Sequence, residues 1–306
     1  MTLPSEAFGF IADLVRRESA IVLEPGKEYL VEARLLPLAR AAGVADVTAY
    51  VDHVRSPAGA GARAAVVEAL TTNETSWFRD REPFDVLMSH VVPELMARAG
   101  ARRKLTIWSA ACSSGQEAYT IAMLMAEHIV PKGWQVEIVA TDIAPSMVER
   151  TRQGCYSQLE VGRGLPAPLM VKHFSRAGTQ WQVSDQLRSM VRAHTLNLAG
   201  PFPPMPVFDL VFLRNVLIYF DQPTKRAVLN RARQVMSPDG YLFLGGAETT
   251  LGLDDQWSRV TVGRLTLNRP RNPASPAGSA AAYQATPISP PPPFPTTPGL
   301  ATQKVI

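Results

Sequence analysis

The chain has 306 residues, 46% of them apolar and 19% charged, with a formal net charge of +4. That length holds one large domain or two smaller ones around a sizeable core, and so small a positive excess argues for no nucleic-acid partner. Its two cysteines, Cys112 and Cys155, form no CxxC and its five histidines form no HxxxH or HExxH pair, so no metal site is expected.

The start, "MTLPSEAFGF", has no basic segment leading into an apolar run, and no stretch reaches membrane-spanning length. A reduced, cytoplasmic protein without direct membrane insertion is expected. Residues 1–70 read as a helical domain. "AFGFIADLVRRES" places Phe8, Ile11, Ala12 and Val15 on one face. "EYLVEARLLPLARAAG" offers Leu30, Ala33, Leu36 and Leu38, with Gly43 closing the helix and Pro37 predicting a kink or early end. "VTAYVDHV" and "GARAAVVEALTT" predict two more short helices.

From 71 to 269 strands and helices alternate. "KLTIWSA" (104–110), "WQVEIVATD" (134–142), "FDLVFLRN" (208–215) and "GYLFLGG" (240–246) read as strands, and "RVTVGRLTLNR" as a closing piece. Between them lie the helical "QEAYTIAMLMAEHI", "APSMVERTRQG" and "QPTKRAVLNRARQVM". This rhythm predicts βαβ units and an α/β fold with a doubly wound parallel sheet. Residues 155–200 break it and read as an inserted β-subdomain, with a short helical piece and a hairpin in "TQWQVSDQLRSMVRAHTLNL". Beyond 270 the chain is dominated by Pro, Ala, Ser and Thr, so residues 270–306 are expected to be a disordered Pro-rich tail.

In an open parallel sheet ligands bind beyond the carboxyl ends of the strands. The first strand is followed by "SAACSSGQE" (109–117), whose small residues allow close approach of backbone to a ligand. The second ends on Asp142, placed either to accept hydrogen bonds from ribose hydroxyls or to cap the following helix. The third runs into Arg214 and Asn215, with Tyr219 a helical turn further on. Polar groups among so many apolar neighbours need partners, either a ligand or a satisfied internal network. Before the sheet, "TTNETSWFRDREPF" interleaves Asn73, Thr75 and Arg79 with Trp77 and Phe78, a cap with core aromatics or a fourth contributor to the same rim. No Walker loop and no GxGxxG is present. A nucleoside without a pyrophosphate fits best, S-adenosylmethionine above all.

In order along the chain, "TTNETSWFRD", "IWSAACSSGQEAYTIAM", "ATDIAPSMVERTRQGCYS", Asn197–Leu198, "FDLVFLRNVLIYFD" and "MSPDGYLFLGGAE" resemble the CheR family, the chemotaxis receptor glutamate O-methyltransferases. The likeness covers roughly residues 5–267. It implies an N-terminal helical domain, a Rossmann-like methyltransferase domain binding S-adenosyl-L-methionine, and a small inserted β-subdomain. Asn73, Thr75, Arg79, Glu117, Asp142, Asn197, Leu198, Arg214 and Asn215 match positions that line the family's cofactor site. There the aspartate matching Asp142 binds the ribose hydroxyls and the glutamate matching Glu117 lies near the cofactor's amino-acid end. Tyr219 matches a tyrosine close to the transferred methyl, so Tyr219 and Arg79 are the catalytic candidates.

The implied reaction methylates receptor glutamates and leaves S-adenosyl-L-homocysteine, with chemoreceptor cytoplasmic helices as partners and the enzyme acting as a monomer. A glutamate is ionised near neutral pH, so no general base is required. Two departures from the family stand out. The second helix offers only Arg34 and Arg40 where relatives carry a dense basic face. The insertion is compact at "HFSRAGTQWQV", so no dependence on a receptor C-terminal pentapeptide tether is expected. A methyltransferase with another acceptor, and a silent adaptor, are the rival readings.

Overall fold

The computed structural model describes residues 3–271, and the expected Pro-rich tail lies outside them from 272 onward. Helices α1 (Ser5–Ser19), α2 (Glu28–Ala41), α3 (Val47–Arg55) and α4 (Arg63–Leu70) enclose a core of their own, centred on Ile11, Leu14, Val31, Leu35, Val51 and Val66. On α1 the expected Phe8, Ile11 and Val15 are buried, and Ala12 is half-buried at their flank. Helix α2 corrects the expectation twice. It buries Val31, Leu35 and Ala39, a strict four-residue stripe, whereas Leu30, Leu36 and Leu38 are half-buried and Ala33 is exposed. It also runs through Pro37 to Ala41. Pro37 and Ala33 are both exposed, so the bond that a proline cannot make to the carbonyl four residues earlier is lost on the solvent face of the helix, where it costs least.

A helical stretch, α5 (Glu82–Val86) and α6 (Val92–Ala99) joined by a π-helical turn, leads into the sheet. There follow β1 (Lys104–Ala110), α7 (Gln116–His128), β2 (Gln135–Asp142), α8 (Pro145–Gln153), β3 (Cys155–Ser157), α9 (Gln158–Gly162) and α10 (Ala167–His173). Next come β4 (Phe174–Ala177), β5 (Gln180–Val183), α11 (Asp185–Met190), β6 (Val191–Thr195) and β7 (Phe208–Leu213). The last elements are α12 (Gln222–Gln234), β8 (Met236–Leu244), β9 (Trp257–Val262) and β10 (Leu265–Pro270).

The main sheet has the order β6-β2-β1-β7-β8-β10-β9. Its first five strands pair in parallel and β10 pairs antiparallel with both β8 and β9. Strand order reverses between β1 and β7, which places the ligand crevice at their carboxyl ends. Alternate side chains fill the two faces, Ile107, Phe212 and Phe243 on one and Trp108, Val211 and Leu242 on the other.

The stretch from 155 to 200 divides in two. Strands β3, β5 and β4 form a separate antiparallel sheet, while β6 returns to the main sheet as an edge strand beside β2. The hairpin is therefore β4–β5, and most of "TQWQVSDQLRSMVRAHTLNL" lies beyond it. Exposed Arg192 and His194 on either side of buried Ala193 give β6 the alternation of a hairpin strand, which is how an edge strand covered on one face reads.

The helical domain is joined to the sheet domain around the crevice. Ile21 bridges Phe220 and the Val22 amide donates to the Tyr219 carbonyl at 3.0 Å. The Ser146 amide at the start of α8 donates to Glu68 Oε1 at 3.0 Å. Arg34 is turned inward, donating to the Leu70 and Thr71 carbonyls at 3.0 and 2.8 Å and to the Thr72 hydroxyl.

Candidate functional site

Strand β7 is buried along its whole length, and the chain must leave the sheet immediately after it. It does so through Asn215 at φ +58°, a conformation asparagine tolerates better than most residues. That turn points Arg214 back into the protein, where its side chain is 2% exposed. Nη1 donates to Glu117 Oε2 at 2.9 Å, and Nη2 donates to Asp80 Oδ2 and the Arg79 carbonyl, both at 2.8 Å. Glu117 also accepts from the Ser109 hydroxyl at 2.8 Å. A network thus links the ends of β1 and β7, the first turn of α7 and the 79–80 segment. The two readings of Arg214 meet here, because this satisfied network also faces the crevice.

Asp142 is the last residue of β2 and 5% exposed. Its Oδ2 accepts from the Ser113 amide at 2.7 Å and its Oδ1 from the Ala144 amide at 3.0 Å. The cap position of α8 is Ala144, so Asp142 braces the turn before the helix rather than capping it. Burial raises its pKa from the ordinary aspartate value, against the opposing pull of the Ala144, Ser113 and Ile143 amides. The carboxylate keeps acceptor capacity beyond these backbone donors.

The segment carrying Asn73, Thr75 and Arg79 is held from behind by Trp77. That indole is buried edge-on against Tyr156 and Phe174, and its Nε1 donates to the Glu160 carbonyl at 3.0 Å. The Asn73 carbonyl accepts from the Ser113 hydroxyl at 2.7 Å. Phe78, Asp80 and Arg81 follow at φ +51°, +64° and +44°, a concentration of strained backbone of the kind held at functional sites. Arg79 is half-buried, and among the described residues its guanidinium donates only to the Glu74 carbonyl, at 2.9 Å.

After β6, Asn197 uses both ends of its amide on the protein, donating to the Glu18 carbonyl at 2.8 Å and accepting from the Ala199 amide at 2.9 Å. The Leu198 carbonyl accepts from Arg231 at 2.7 Å. Tyr219 is half-buried, and among the described residues no group hydrogen-bonds its hydroxyl.

One cleft brings all of these together. Asn73, Thr75, Arg79, Glu117, Asp142, Asn197, Leu198, Arg214, Asn215 and Tyr219 line a single opening enclosing about 870 Å³ of space continuous with solvent. Ser113, Ile143 and Cys112 also line it and were not singled out by the sequence. For Ser113 the signal was the small-residue turn itself. Burial pushes the Cys112 thiol well up, so it is not a nucleophile at neutral pH. Among the described residues no His or Lys lines the cleft. Glu248, behind its wall, was also missed. Its carboxylate accepts from the Asn215, Val216, Leu217 and Gly245 amides.

The residues fit S-adenosylmethionine. A buried carboxylate at the end of β2 suits a diol, apolar Ile143 and Leu198 suit a purine face, and Glu117 with the spare donors of Arg79 suits an amino acid's two charges. The CheR methyltransferase SAM binding domain matches residues 73–264, and the CheR methyltransferase all-alpha domain matches residues 6–71. Chemotaxis protein methyltransferase 1 of Pseudomonas aeruginosa is 40% identical, covering 85% of this chain and 96% of its own. The chemotaxis protein methyltransferase of Vibrio parahaemolyticus is 39% identical over 85% of this chain and 95% of its own, and that of Escherichia coli 33% identical over 84% and 89%.

Proposed function

The chain belongs to the CheR methyltransferase family and is an S-adenosylmethionine-dependent methyltransferase, and from that premise we propose that it methylates glutamate side chains on the cytoplasmic helices of chemoreceptors. The products are glutamate 5-O-methyl esters, the chemical mark of chemosensory adaptation, and S-adenosyl-L-homocysteine. The observation that carries this reading is a cleft with no base to offer. Among the described residues no His or Lys lines it, Glu117 and Asp142 are engaged by the protein, and Glu74 is drawn outward to Arg163. An acceptor that reacts there must arrive already nucleophilic, with no proton to lose first, as a carboxylate is at neutral pH.

On this reading Asp142 holds the ribose hydroxyls, Asn73, Thr75, Asn197, Leu198 and Asn215 shape the cofactor's bed, and Glu117 faces its ammonium. Arg79 binds its carboxylate, and Arg214 braces Glu117. The bound cofactor supplies a methyl group activated by its sulfonium. A glutamate oxygen forms the new bond to that carbon as the carbon–sulfur bond breaks, its electron pair passing to sulfur, and no proton moves. What the chain supplies is alignment, worth up to roughly 7–11 kcal/mol in favourable systems. Tyr219 donates its free hydroxyl to the carboxylate oxygen that does not attack.

The same reading has the enzyme act as a cytoplasmic monomer, and among the described residues no helix is long and apolar enough to cross a membrane. It does without a pentapeptide tether, since only Gly178 and Thr179 join β4 to β5. Calorimetric titration with a receptor C-terminal pentapeptide should show no binding, and micromolar affinity would reverse that point. The function itself is tested by labelled methyl transfer from S-adenosylmethionine to a receptor cytoplasmic fragment. Label that mild alkali releases as methanol supports an ester, whereas no label, or alkali-stable label, overturns it.

A further inference from the structure

Behind the wall that carries Arg214 and Tyr219, backbone amides converge on one carboxylate. Glu248 Oε2 accepts from the Asn215 amide at 2.8 Å and the Gly245 amide at 2.7 Å. Its Oε1 accepts from the Val216 amide at 2.9 Å and the Leu217 amide at 2.7 Å. Glu248 lies just beyond β8 and the amides of 215–217 just beyond β7, so one side chain ties the ends of two adjacent parallel strands. A cluster of amides like this usually cradles a ligand anion. Here the protein's own side chain fills it.

The segment needs such a partner. Asn215 is held at positive φ, and Val216 and Leu217 enter a short 3-10 turn whose first amides have no acceptor within the turn. The fit is close on the other side as well. A Cβ on Gly245 would stand 2.8 Å from both Asn215 Nδ2 and Glu248 Oε2, and 2.9 Å from the Asn215 nitrogen. Arg214 is pinned by its own network at one end, and the Tyr219 carbonyl by Val22 at the other. Between them Glu248 holds the three successive amides of 215–217, and it does not line the cleft.

We propose that Glu248 is a positioning residue for methyl transfer, setting where the Tyr219 hydroxyl stands against the acceptor carboxylate. This rests on the reading of Tyr219 given above. In Glu248→Gln the shape is kept, but an NH2 group faces amide donors in place of one oxygen. Asp142, Asn73 and Arg79 lie on the cleft's other segments, so the effect should divide unequally between binding and turnover.

The test uses the full chain, calorimetry with S-adenosylhomocysteine, and methyl transfer to a receptor fragment. Glu248→Gln should lower kcat at least tenfold and change S-adenosylhomocysteine affinity less than threefold. Combined with Tyr219→Phe it should be no slower than Tyr219→Phe alone, because both changes remove the same placed hydroxyl. Gly245→Ala, whose methyl presses on both Asn215 and Glu248 Oε2, disturbs the same clamp without removing its charge and should show the same split and the same non-additivity. Wild-type kcat in both variants, or losses that multiply with Tyr219→Phe, would refute the positioning role. So would loss of folded, ligand-binding protein in both, which would make Glu248 a folding residue. Tyr219→Phe at full turnover sinks the reading of Tyr219 and the proposal with it, whereas a slow Tyr219→Phe beside a normal Glu248→Gln sinks the proposal alone.

Discussion

Replacing Asp142 by Asn asks how much of the cofactor's hold comes from one buried charge. The carboxylate already serves the Ser113 and Ala144 amides, so in the variant the single amide oxygen must serve one of them and the new NH2 faces the other. At least one charge-assisted hydrogen bond to the ligand is lost. Such bonds contribute about 1.5–3 kcal/mol, so S-adenosylhomocysteine should bind about tenfold to about a hundredfold more weakly. Protonation should act in the same way. Burial raises the pKa of Asp142, so affinity should fall with acidification from a pH above the ordinary aspartate value of about 3.9, and this acid limb should vanish in the variant. The linkage to folding has the opposite sign. With the folded pKa above the unfolded one, the stability Asp142 contributes is complete below the unfolded value and is lost as pH rises through the folded one. At neutral pH its charge therefore opposes folding, which offsets the acceptor lost in the variant, and stability should change by less than about 1 kcal/mol. Calorimetric titration across pH, with thermal melts alongside, reads all three. Affinity within threefold of wild type, or an unchanged acid limb, would mean that Asp142 only braces the turn before α8.

Arg214→Met strips the cation from largely buried Glu117 and half-exposed Asp80, and leaving the buried partner unpaired costs up to about 3–5 kcal/mol; a urea-denaturation loss below about 1 kcal/mol would show that the network contributes little. Gly164→Ala places a methyl 2.4 Å from the Trp77 carbonyl at φ +97°, which should cost roughly 1–3 kcal/mol. Because Trp77 anchors the segment bearing Asn73 and Arg79, calorimetry should show weaker S-adenosylhomocysteine binding as well, and unchanged affinity would uncouple the two. Cys112, buried with its thiol pushed up, should resist iodoacetamide at pH 8 in native protein and react after denaturation, as peptide mass spectrometry will show; native labelling would mean that the cleft floor opens.

The parts of the fold that could be read in advance were those with a single physical cause. "KLTIWSA" is β1 residue for residue, because a short buried run bounded by turn residues has one use in an alternating chain. Helix α2 was misread because every third or fourth residue of "EYLVEARLLPLARA" is apolar along two overlapping stripes, and only tertiary contact chose Val31, Leu35 and Ala39. The cleft's contributors were legible since each follows a strand or precedes the sheet, where polar residues among apolar ones need a partner. Glu248 was not, since a glutamate after two glycines looks like ordinary loop. Its role comes from four amides supplied by two distant segments, and no local pattern records that. Arg34 carries the same lesson in reverse. Read as surface charge, it is engaged by the carbonyls of Leu70 and Thr71, leaving Arg40 as the exposed arginine of α2.

The two arginines of the cleft are chemically alike, and their surroundings separate them. Arg214 meets Asp80, Glu117 and the Arg79 carbonyl, so its charge is matched twice and an incoming carboxylate gains little from it. Arg79 holds one carbonyl and keeps its remaining donors. On the proposed reading that makes Arg79 the cation of the cleft able to grip a carboxylate, and the cofactor's own is the one it should grip. Strong pairing with the receptor's glutamate would stabilise the nucleophile before it reacts and slow the step. The attacking group is better met by a neutral donor, and the Tyr219 hydroxyl, free of protein partners among the described residues, is one such group at the site. Arg79→Ala should therefore raise KM for S-adenosylmethionine more than KM for the receptor fragment, and Tyr219→Phe should lower kcat with little change in either. The reverse pattern in steady-state methyl-transfer assays would exchange the two roles and make Arg79 the residue that holds the acceptor.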